Sequence, residues 1–281
     1  LGVMGPNEYC PITSNNAYTN RLAAFALSLA AGPVGTAGGA SDAERATFAS
    51  VAAGLPIRRA KDGVLVLESE EFPTLADPHF DTLWTDRTKG YANNVSQERL
   101  YRNKSLKQAD VLMLMMLFPN EFTDAEVRAA WDYYLPYTTH DSSLSPGAHA
   151  ILACRLGYAA DAWKFWQMTA GIDLDLAHGG AAEGIHIANA ASSWMVAVFG
   201  FAGVATAMET DTLTIRPALP AQWTRLAFPL VWKGVPVRIA IDRAQVTVTN
   251  NGTQTLDVAF GTARVTVQPG ATVSQTYAPR A

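Results

Sequence analysis

Residues 212–241, TLTIRPALPAQWTRLAFPLVWKGVPVRIAI, decide the fold class, because the hydrophobic period of the sequence changes there. From this stretch onward apolar and polar residues alternate in short runs, the pattern of half-buried β-strands. Six such runs are predicted as strands: 212–217, 226–232, 235–241, 244–250, 256–261 and 263–270. They predict a small antiparallel β-sandwich, in which Asn251-Gly252 is expected to form a hairpin turn.

Before about residue 203 the sequence is typical of helices instead. Seven are predicted, at 17–31, 41–53, 105–118, 123–134, 145–156, 159–169 and 187–199. Capping-box spacing marks two of their starts, Ser41 with Glu44 and Ser105 with Gln108. Residues 30–40, AAGPVGTAGGA, predict a loop. Consecutive helices with short connections favour helical hairpins packed in layers.

The domain organisation follows from this change of period. Residues 1–203 are predicted to form a helical domain and residues 204–281 a β-sandwich domain. The longest apolar run, 111–118, is too short to span a bilayer. A chain that begins Leu-Gly-Val-Met has neither an initiator methionine nor a signal peptide, and we expect it to start inside a longer protein.

The amino-acid composition limits the classes of function that the chain can have. The chain has 281 residues, of which 49% are hydrophobic and 16% charged, as in a soluble globular protein. Its formal net charge is -4 and its lysines and arginines are scattered, so neither nucleic acid nor a membrane surface is an expected partner. Cys10 and Cys154 lie far apart without metal-ligand spacing, which predicts no metal site and favours a reducing, cytoplasmic location.

One polar stretch stands just before a predicted helix, residues 137–149, YTTHDSSLSPGAH. Ser145 is expected to cap the helix, with Pro146 as its first residue. The serines and His140 then either satisfy the backbone locally or form a site for an oxyanion at the helix N-terminus. The residues alone leave both readings open.

Three further segments could carry chemistry. Glu8 stands in a Gly-Pro loop, Lys107 and Gln108 stand at the start of a buried helix, and Gly184 and His186 lead into another helix. Each has an ordinary structural alternative: Glu8 is then a solvated charge, Gln108 closes a capping box, and His186 is a histidine whose hydrogen bonds are structural. No GxxxxGK, GxSxG or HExxH motif is present, which disfavours a nucleotide site, a serine hydrolase and a zinc protease.

Taken together, five ordered motifs resemble glycoside hydrolase family 65, the inverting disaccharide phosphorylases and their hydrolytic relatives. They are VMGPNEY with NNAYTN, KQADVLMLM, TTHDSSLSPGAHAILA, EGIHIA before SSW, and LTIRPALPAQWTRLAFPLVWKG. The resemblance implies the later part of an (α/α)6 barrel followed by a small β-domain. It also implies that the chain is part of a longer parent enzyme, with a homodimer as an expectation.

The resemblance implies roles for individual residues. Glu8 matches the general acid, and Lys107 and Gln108 match the pair that binds the donor glucose. Ser142 and Ser143, with Gly184 and His186, match the phosphate-binding region, and His140 is expected to support it. Cys10 stands where many relatives have a polar residue, which bears on acceptor specificity.

The implied reaction is phosphorolysis of an α-linked glucose disaccharide to β-glucose 1-phosphate and a free sugar, with inorganic phosphate as co-substrate and no other cofactor. One alternative is an inverting hydrolase of the kojibiosidase or acid trehalase type, which needs a second carboxylate as base. Asp141 and Glu183 are the candidates for that base. The other alternative is an inactive fragment that binds sugar.

Overall fold

The computed structural model describes residues 1–174, 184–205 and 210–278. Contacts group the chain into two compact units, which we describe separately. The first unit comprises Leu1–Met115 and Ala125–Ser145, and the second comprises Met116–Asp124 and Pro146–Ala281. The boundary predicted between residues 203 and 204 separates helices from strands rather than these units, and it stays a prediction.

Ten α-helices are described, and all seven predicted ones are among them. They are α1 (Ala17–Ala31), α2 (Pro33–Ala37), α3 (Asp42–Gly54), α4 (Phe80–Leu83), α5 (Gln97–Leu100), α6 (Asp110–Leu117), α7 (Asp124–Tyr134), α8 (Ser145–Leu156), α9 (Ala159–Gly171) and α10 (Ile187–Met195). The last helix continues as a π-helical turn over Val196–Phe201. The prediction that α-helix extends to residue 199 is therefore wrong at its C-terminal end.

Helix caps explain several boundaries. At α3 the predicted capping box is confirmed, because Ser41 and Glu44 exchange side-chain and backbone hydrogen bonds. The prediction of a loop over residues 30–40 is wrong, since Pro33 begins α2. A proline at the first helical position has its backbone angle already set for a helix and loses no hydrogen bond there. At α8 the helix includes Ser145 itself rather than beginning at Pro146.

The start of α6 differs from its prediction in a way that matters for the site. The helix begins at Asp110, five residues after the predicted cap at Ser105. Leu106 forms a parallel bridge with Thr138, with its backbone N–H donating to Tyr137 O at 2.9 Å. The Gln108 side chain does not close a capping box, because it bonds to other segments. Long-range pairing has thus overridden a local capping signal.

The β region lies wholly in the second unit. Its strands are β1 (Leu213–Ile215), β2 (Arg225–Trp232), β3 (Val235–Asp242), β4 (Gln245–Asn250), β5 (Leu256–Phe260), β6 (Ala263–Val267) and β7 (Thr272–Thr276). They form two sheets, ordered β1-β5-β6 and β2-β3-β4-β7. Pairing is antiparallel except between β1 and β5, which are parallel. The alternating apolar residues of both sheets share one buried cluster.

The hairpin predicted at Asn251-Gly252 is wrong. The segment leads from β4 in one sheet to β5 in the other. Asn250 organises it, because its fully buried side chain donates to Gln254 O and Val267 O and accepts from Gly252 N. A two-residue hairpin instead forms at Lys233-Gly234, where both residues have positive φ, 46° and 87°.

Helices of the described segments are all too short or too polar to cross a membrane.

Candidate active site

The loop that carries Glu8 is anchored through its neighbour Asn7. The Asn7 side chain is 1% exposed, and its backbone N–H donates to Asp110 Oδ1 at 2.6 Å. Asn7 Oδ1 accepts from the backbone N–H groups of Lys107, at 3.0 Å, and Tyr9, at 3.3 Å. The Glu8 side chain is 57% exposed. The buried Asn7 therefore holds the loop in place, while the Glu8 carboxylate faces the solvent.

Lys107 meets Glu8 directly. Its ammonium Nζ lies 2.5 Å from Glu8 Oε2, in an ion pair between residues 99 positions apart in sequence. The pairing follows from the backbone, because Asn7 binds the Lys107 amide and so places both residues side by side. Two residues that the sequence assigned to different roles are thus brought into contact.

Gln108 links two of the predicted site segments. Its side-chain Nε2 donates to Pro6 O at 2.7 Å, which holds the loop before Glu8. Its Oε1 accepts from the Ser142 hydroxyl at 2.8 Å, which holds the HDSSLS turn. The side chain is 7% exposed, so these bonds are shielded from water. Gln108 therefore joins the acid loop to the serine-rich turn within the first unit.

The serine-rich turn is strained at His140, whose φ is 58°. His140 Nδ1 lies 2.9 Å from the Oγ of Ser145, a residue that is fully buried. Ser142 O accepts from Ser145 N at 3.1 Å, which closes the turn onto α8. The Ser143 side chain makes no hydrogen bond to the other described residues, and the residue is half-buried.

Asp141 is engaged by two donors on a single oxygen. Its Oδ2 accepts from the Tyr9 hydroxyl at 2.5 Å and from Tyr91 N at 2.7 Å. Burial, and then the bond to Asp141, raise the pKa of Tyr9 well above its usual value, so Tyr9 remains a donor. Asp141 thereby fixes the residue that follows Glu8, which is a structural task.

Two buried carboxyl groups lie beneath the loop. Asp110 is 0% exposed and receives Asn7 N and, at 2.8 Å, Asn16 Nδ2. Glu68 is 1% exposed and receives Asn7 Nδ2 at 3.2 Å. Burial raises the pKa of Asp110 to about 7 against the hydrogen bonds that lower it, and burial raises the pKa of Glu68 well above its usual value. Burial and the nearby acids raise the pKa of the Cys10 thiol to about 12.

His186 and Gly184 belong to the second unit. His186 stands at the N-terminus of α10, where Asp173 accepts from its backbone N at 3.0 Å and lies 2.7 Å from its Nδ1. Such a carboxylate fixes the orientation of the imidazole. Gly184 has φ 99°, which only glycine adopts easily. Glu183, the other candidate base, lies outside the described residues.

Sequence reasoning missed the residues that support the site. Asn7, Asn16, Glu68, Asp110 and Asp173 were not assigned roles. One signal was available, because Asp110 is the only charged residue in ADVLMLMML. Such a charge on a buried helix needs a partner. The described residues contain no group of three or more His, Cys, Asp or Glu side chains that could hold a metal ion.

Comparison with known proteins gives consistent matches along the chain. Residues 1–195 match the Glycosyl hydrolase family 65 central catalytic domain, and residues 208–267 match the C-terminal domain of the same family. These are the regions in which the sequence motifs were found.

Individual relatives agree with the family match. An alpha,alpha-trehalose phosphorylase of Thermoanaerobacter brockii is 33% identical over 87% of this chain and 33% of its own length. A kojibiose phosphorylase of Escherichia coli is 33% identical over 88% of this chain and 32% of its own length. A maltose phosphorylase of Bacillus subtilis is 31% identical over 87% of this chain and 33% of its own length. The chain thus spans about a third of the length of these relatives.

A solved structure supports the fold. A human-microbiome protein assigned as a kojibiose phosphorylase superposes with a TM-score of 0.85 at 26% identity, over 98% of this chain and 37% of that one. The predicted fold class is confirmed: mainly α, part of an (α/α)6 barrel, followed by a small β domain.

Proposed function

This chain belongs to glycosyl hydrolase family 65, and on that premise we propose that it is part of a longer enzyme that phosphorolyses an α-linked glucose disaccharide. The products are β-glucose 1-phosphate and a free sugar. Phosphorolysis is the activity named for the trehalose, kojibiose and maltose relatives. The reaction uses inorganic phosphate as co-substrate and requires no metal or organic cofactor.

Glu8 acts as the general acid. Its protonated carboxyl gives a proton to the glycosidic oxygen while the bond from that oxygen to the anomeric carbon breaks. A phosphate oxygen forms the new bond to the anomeric carbon from the opposite face, so the configuration inverts. Phosphate is already an anion, and the step therefore needs no carboxylate to activate water.

Lys107 and Gln108 bind the donor glucose in this proposal. A general acid must carry its proton when the step begins, whereas Lys107 Nζ contacts Glu8 Oε2 here. Substrate binding is therefore expected to draw the ammonium from Glu8 to sugar hydroxyls. The carboxyl is then free to take up and deliver the proton.

The linkage made by Gln108 is the observation that carries the proposal. A single side chain holds Pro6 O, next to the acid loop, and the hydroxyl of Ser142, in the predicted phosphate-binding turn. A disaccharide phosphorylase needs its acid and its anion site fixed with respect to each other across the sugar. In the proposal His140 supports the turn and Ser143 offers a hydroxyl to the phosphate. Gly184 and His186, which lie in the second unit, are assigned to phosphate binding by their sequence motif alone.

Hydrolysis is the second candidate function. It requires a carboxylate base, and Asp141 is the candidate within the described residues. Its Oδ2 is already occupied by Tyr9 and Tyr91, which favours a structural role and hence phosphorolysis. An inactive sugar-binding fragment is the third candidate, distinguished by binding of glucose without turnover under any nucleophile.

The test uses the full-length parent protein. It is incubated with maltose, trehalose, kojibiose and nigerose, with and without inorganic phosphate, and both glucose and β-glucose 1-phosphate are followed. Phosphate-dependent formation of the sugar phosphate supports the proposal and identifies the substrate. Glucose release that does not need phosphate would favour the hydrolase.

Glu8→Gln supplies the matched test of the acid. It is expected to abolish turnover, because the amide cannot deliver a proton. The control is Glu98→Gln on α5, which should leave the rate unchanged because Glu98 is an exposed carboxylate paired with Arg102. Rates of Glu8→Gln near wild type would remove Glu8 from this role. His186→Ala should raise the KM for phosphate more than the KM for sugar.

Two further expectations concern the cellular location and the oligomeric state of the parent enzyme. We propose a cytoplasmic location, in keeping with two buried cysteines that are free thiols. A homodimer of the parent enzyme is likewise proposed. Fractionation of the source cells and sedimentation of the purified parent protein test these two points separately.

A further inference from the structure

Beneath the proposed acid lies a pair of carboxyl groups that the mechanism does not use. Glu68 and Asp110 are both buried, and Asn7 stands between them. The Asn7 side-chain Nδ2 donates to Glu68 Oε1 at 3.2 Å, and its backbone N–H donates to Asp110 Oδ1 at 2.6 Å. The residue next to Glu8 is therefore bonded to both acids at once.

The two acids are not equivalent. Asp110 receives two N–H groups, one on each oxygen, which suits an anion. Glu68 receives one, and its Oε2 is buried with no partner in the described part of the chain. Neither acid has an ion pair among the described residues. An isolated buried charge is far more costly than a neutral carboxyl, so when the pair carries one negative charge, that charge resides on Asp110 and Glu68 keeps its proton.

Glu68 is also firmly anchored through its backbone. Its N–H donates to the Tyr134 hydroxyl at 2.8 Å, and that hydroxyl donates in turn to Val66 O at 2.9 Å. Its carbonyl accepts from Ala17 N, at the start of α1, at 2.8 Å. The Glu68 carboxyl thus projects from a backbone segment that is fixed on two sides.

Orientation of the Asn7 amide follows from this anchor. An asparagine amide can present either its oxygen or its nitrogen on a given side, and only the surrounding partners decide which. Because Glu68 Oε1 accepts from Nδ2, Asn7 Oδ1 points away and receives the amides of Lys107 and Tyr9. Those two bonds place the residues that flank and contact Glu8.

We propose that Glu68 is a positioning residue, which acts through Asn7 to hold Glu8 and Lys107 in register for proton delivery. This inference rests on the proposed function. Glu68 contributes an acceptor oxygen in a dry site and touches no substrate. A misplacement of reacting groups by about 1 Å costs on the order of 100-fold in rate, so loss of the anchor affects turnover more than binding.

The groups that face Glu68 determine the effect of losing its proton. They are Asp110, Tyr133, Tyr134 and the Cys10 thiol, each of which is acidic or neutral. Loss of the Glu68 proton at high pH would place a second negative charge beside Asp110. The Asn7 bridge would then connect two anions, and the loop is expected to loosen.

The test compares substitutions of Glu68 in the full-length protein. Glu68→Leu removes both oxygens at similar volume, and it should lower kcat about 10- to 100-fold while KM stays within about twofold. Glu68→Gln keeps an acceptor for Asn7 without a charge and should restore kcat. Glu70→Gln, an exposed neighbour bonded to Asn15 and Arg58, is the matched control and should change neither constant.

Hydrogen exchange gives a readout that does not depend on turnover. The Lys107 and Tyr9 amides should exchange at least about tenfold faster in Glu68→Leu than in wild type, and Glu68→Gln should restore protection. If Glu68→Leu does not fold, Asn7→Ala removes the same bridge and should give the same loss of kcat. A wild type inactive on all disaccharides refutes the proposed function, whereas the exchange experiment still decides the role of Glu68.

Three results overturn the inference. They are an unchanged kcat in Glu68→Leu, a rise in KM without a fall in kcat, and equal damage by the Leu and Gln substitutions. The last would mean that the negative charge of Glu68, and not its acceptor oxygen, is what matters.

Discussion

Gly5→Ala tests whether the Glu8 loop rests on Asp110 and Asn16. A methyl group at Gly5 would lie 1.9 Å from Asp110 Oδ2 and 2.6 Å from Asn16 Nδ2, whereas comfortable contacts begin near 3.4 Å. The carboxylate would have to retreat by about 1.5 Å. Its bonds to Asn7 N, at 2.6 Å, and to Asn16 Nδ2, at 2.8 Å, would then exceed hydrogen-bond length.

The expected cost follows from these contacts. Hydrogen bonds to a charged group are worth about 1.5–3 kcal/mol each, and overpacking of a filled site adds about 1–3 kcal/mol. Partial relaxation returns some of this energy. We therefore expect Gly5→Ala to lower the free energy of unfolding by about 3–6 kcal/mol and to lower kcat as well, since the same atoms hold Asn7.

Denaturant unfolding followed by fluorescence measures the effect. Gly54→Ala at the end of α3 is the matched control, because its new methyl group would meet nothing within 4 Å. That substitution should change stability by no more than about 1 kcal/mol. A Gly5→Ala protein that is as stable as the control would refute the packing that we describe around Asp110.

Three further predictions concern other groups. The pKa of Asp110 is raised to about 7 in the folded state, so the stability contributed by its protonated form is fully present below the unfolded pKa and is lost as pH rises through about 7. In thermal melts the melting temperature should therefore fall less between pH 4 and pH 7 in Asp110→Asn than in wild type. Gly203→Ala would place its methyl group 1.9 Å from Arg216 O at a φ of 65°, so it should lower the melting temperature by several degrees or prevent folding, and wild-type melting would contradict this contact. Cys10 and Cys154 are both buried, and the pKa of Cys10 is raised to about 12, so iodoacetamide at pH 7.5 should modify neither cysteine in the native protein, as mass spectrometry can check.

Local signals predicted most of the secondary structure. Helix α1 and the Ser41 capping box were predicted at their observed positions, since both depend on residues close in sequence. The six strands before β7 were also predicted, because alternation of apolar residues reports one buried face wherever that face packs. The strand β7, TVSQT, lacks buried alternating residues and was missed.

Errors arose where distant segments compete with local signals. Ser105 and Gln108 have the spacing of a capping box, yet Leu106 pairs with Thr138 and Gln108 bonds to Pro6 and Ser142. Asn251-Gly252 has the composition of a hairpin turn, yet the chain changes sheet there. Spacing within one segment cannot reveal either outcome, because the deciding partners lie elsewhere in the chain.

The sequence by itself determined the change from helices to strands and the family, and it indicated the residues that are proposed to carry the chemistry. Tertiary structure alone decided how those residues are supported. Asn7 was assigned no role from the sequence, but in the fold it bonds to Glu68, Asp110, Lys107 and Tyr9. The physical reason is that the residue type sets which hydrogen bonds a side chain is able to make, whereas burial and long-range contacts determine which of them form.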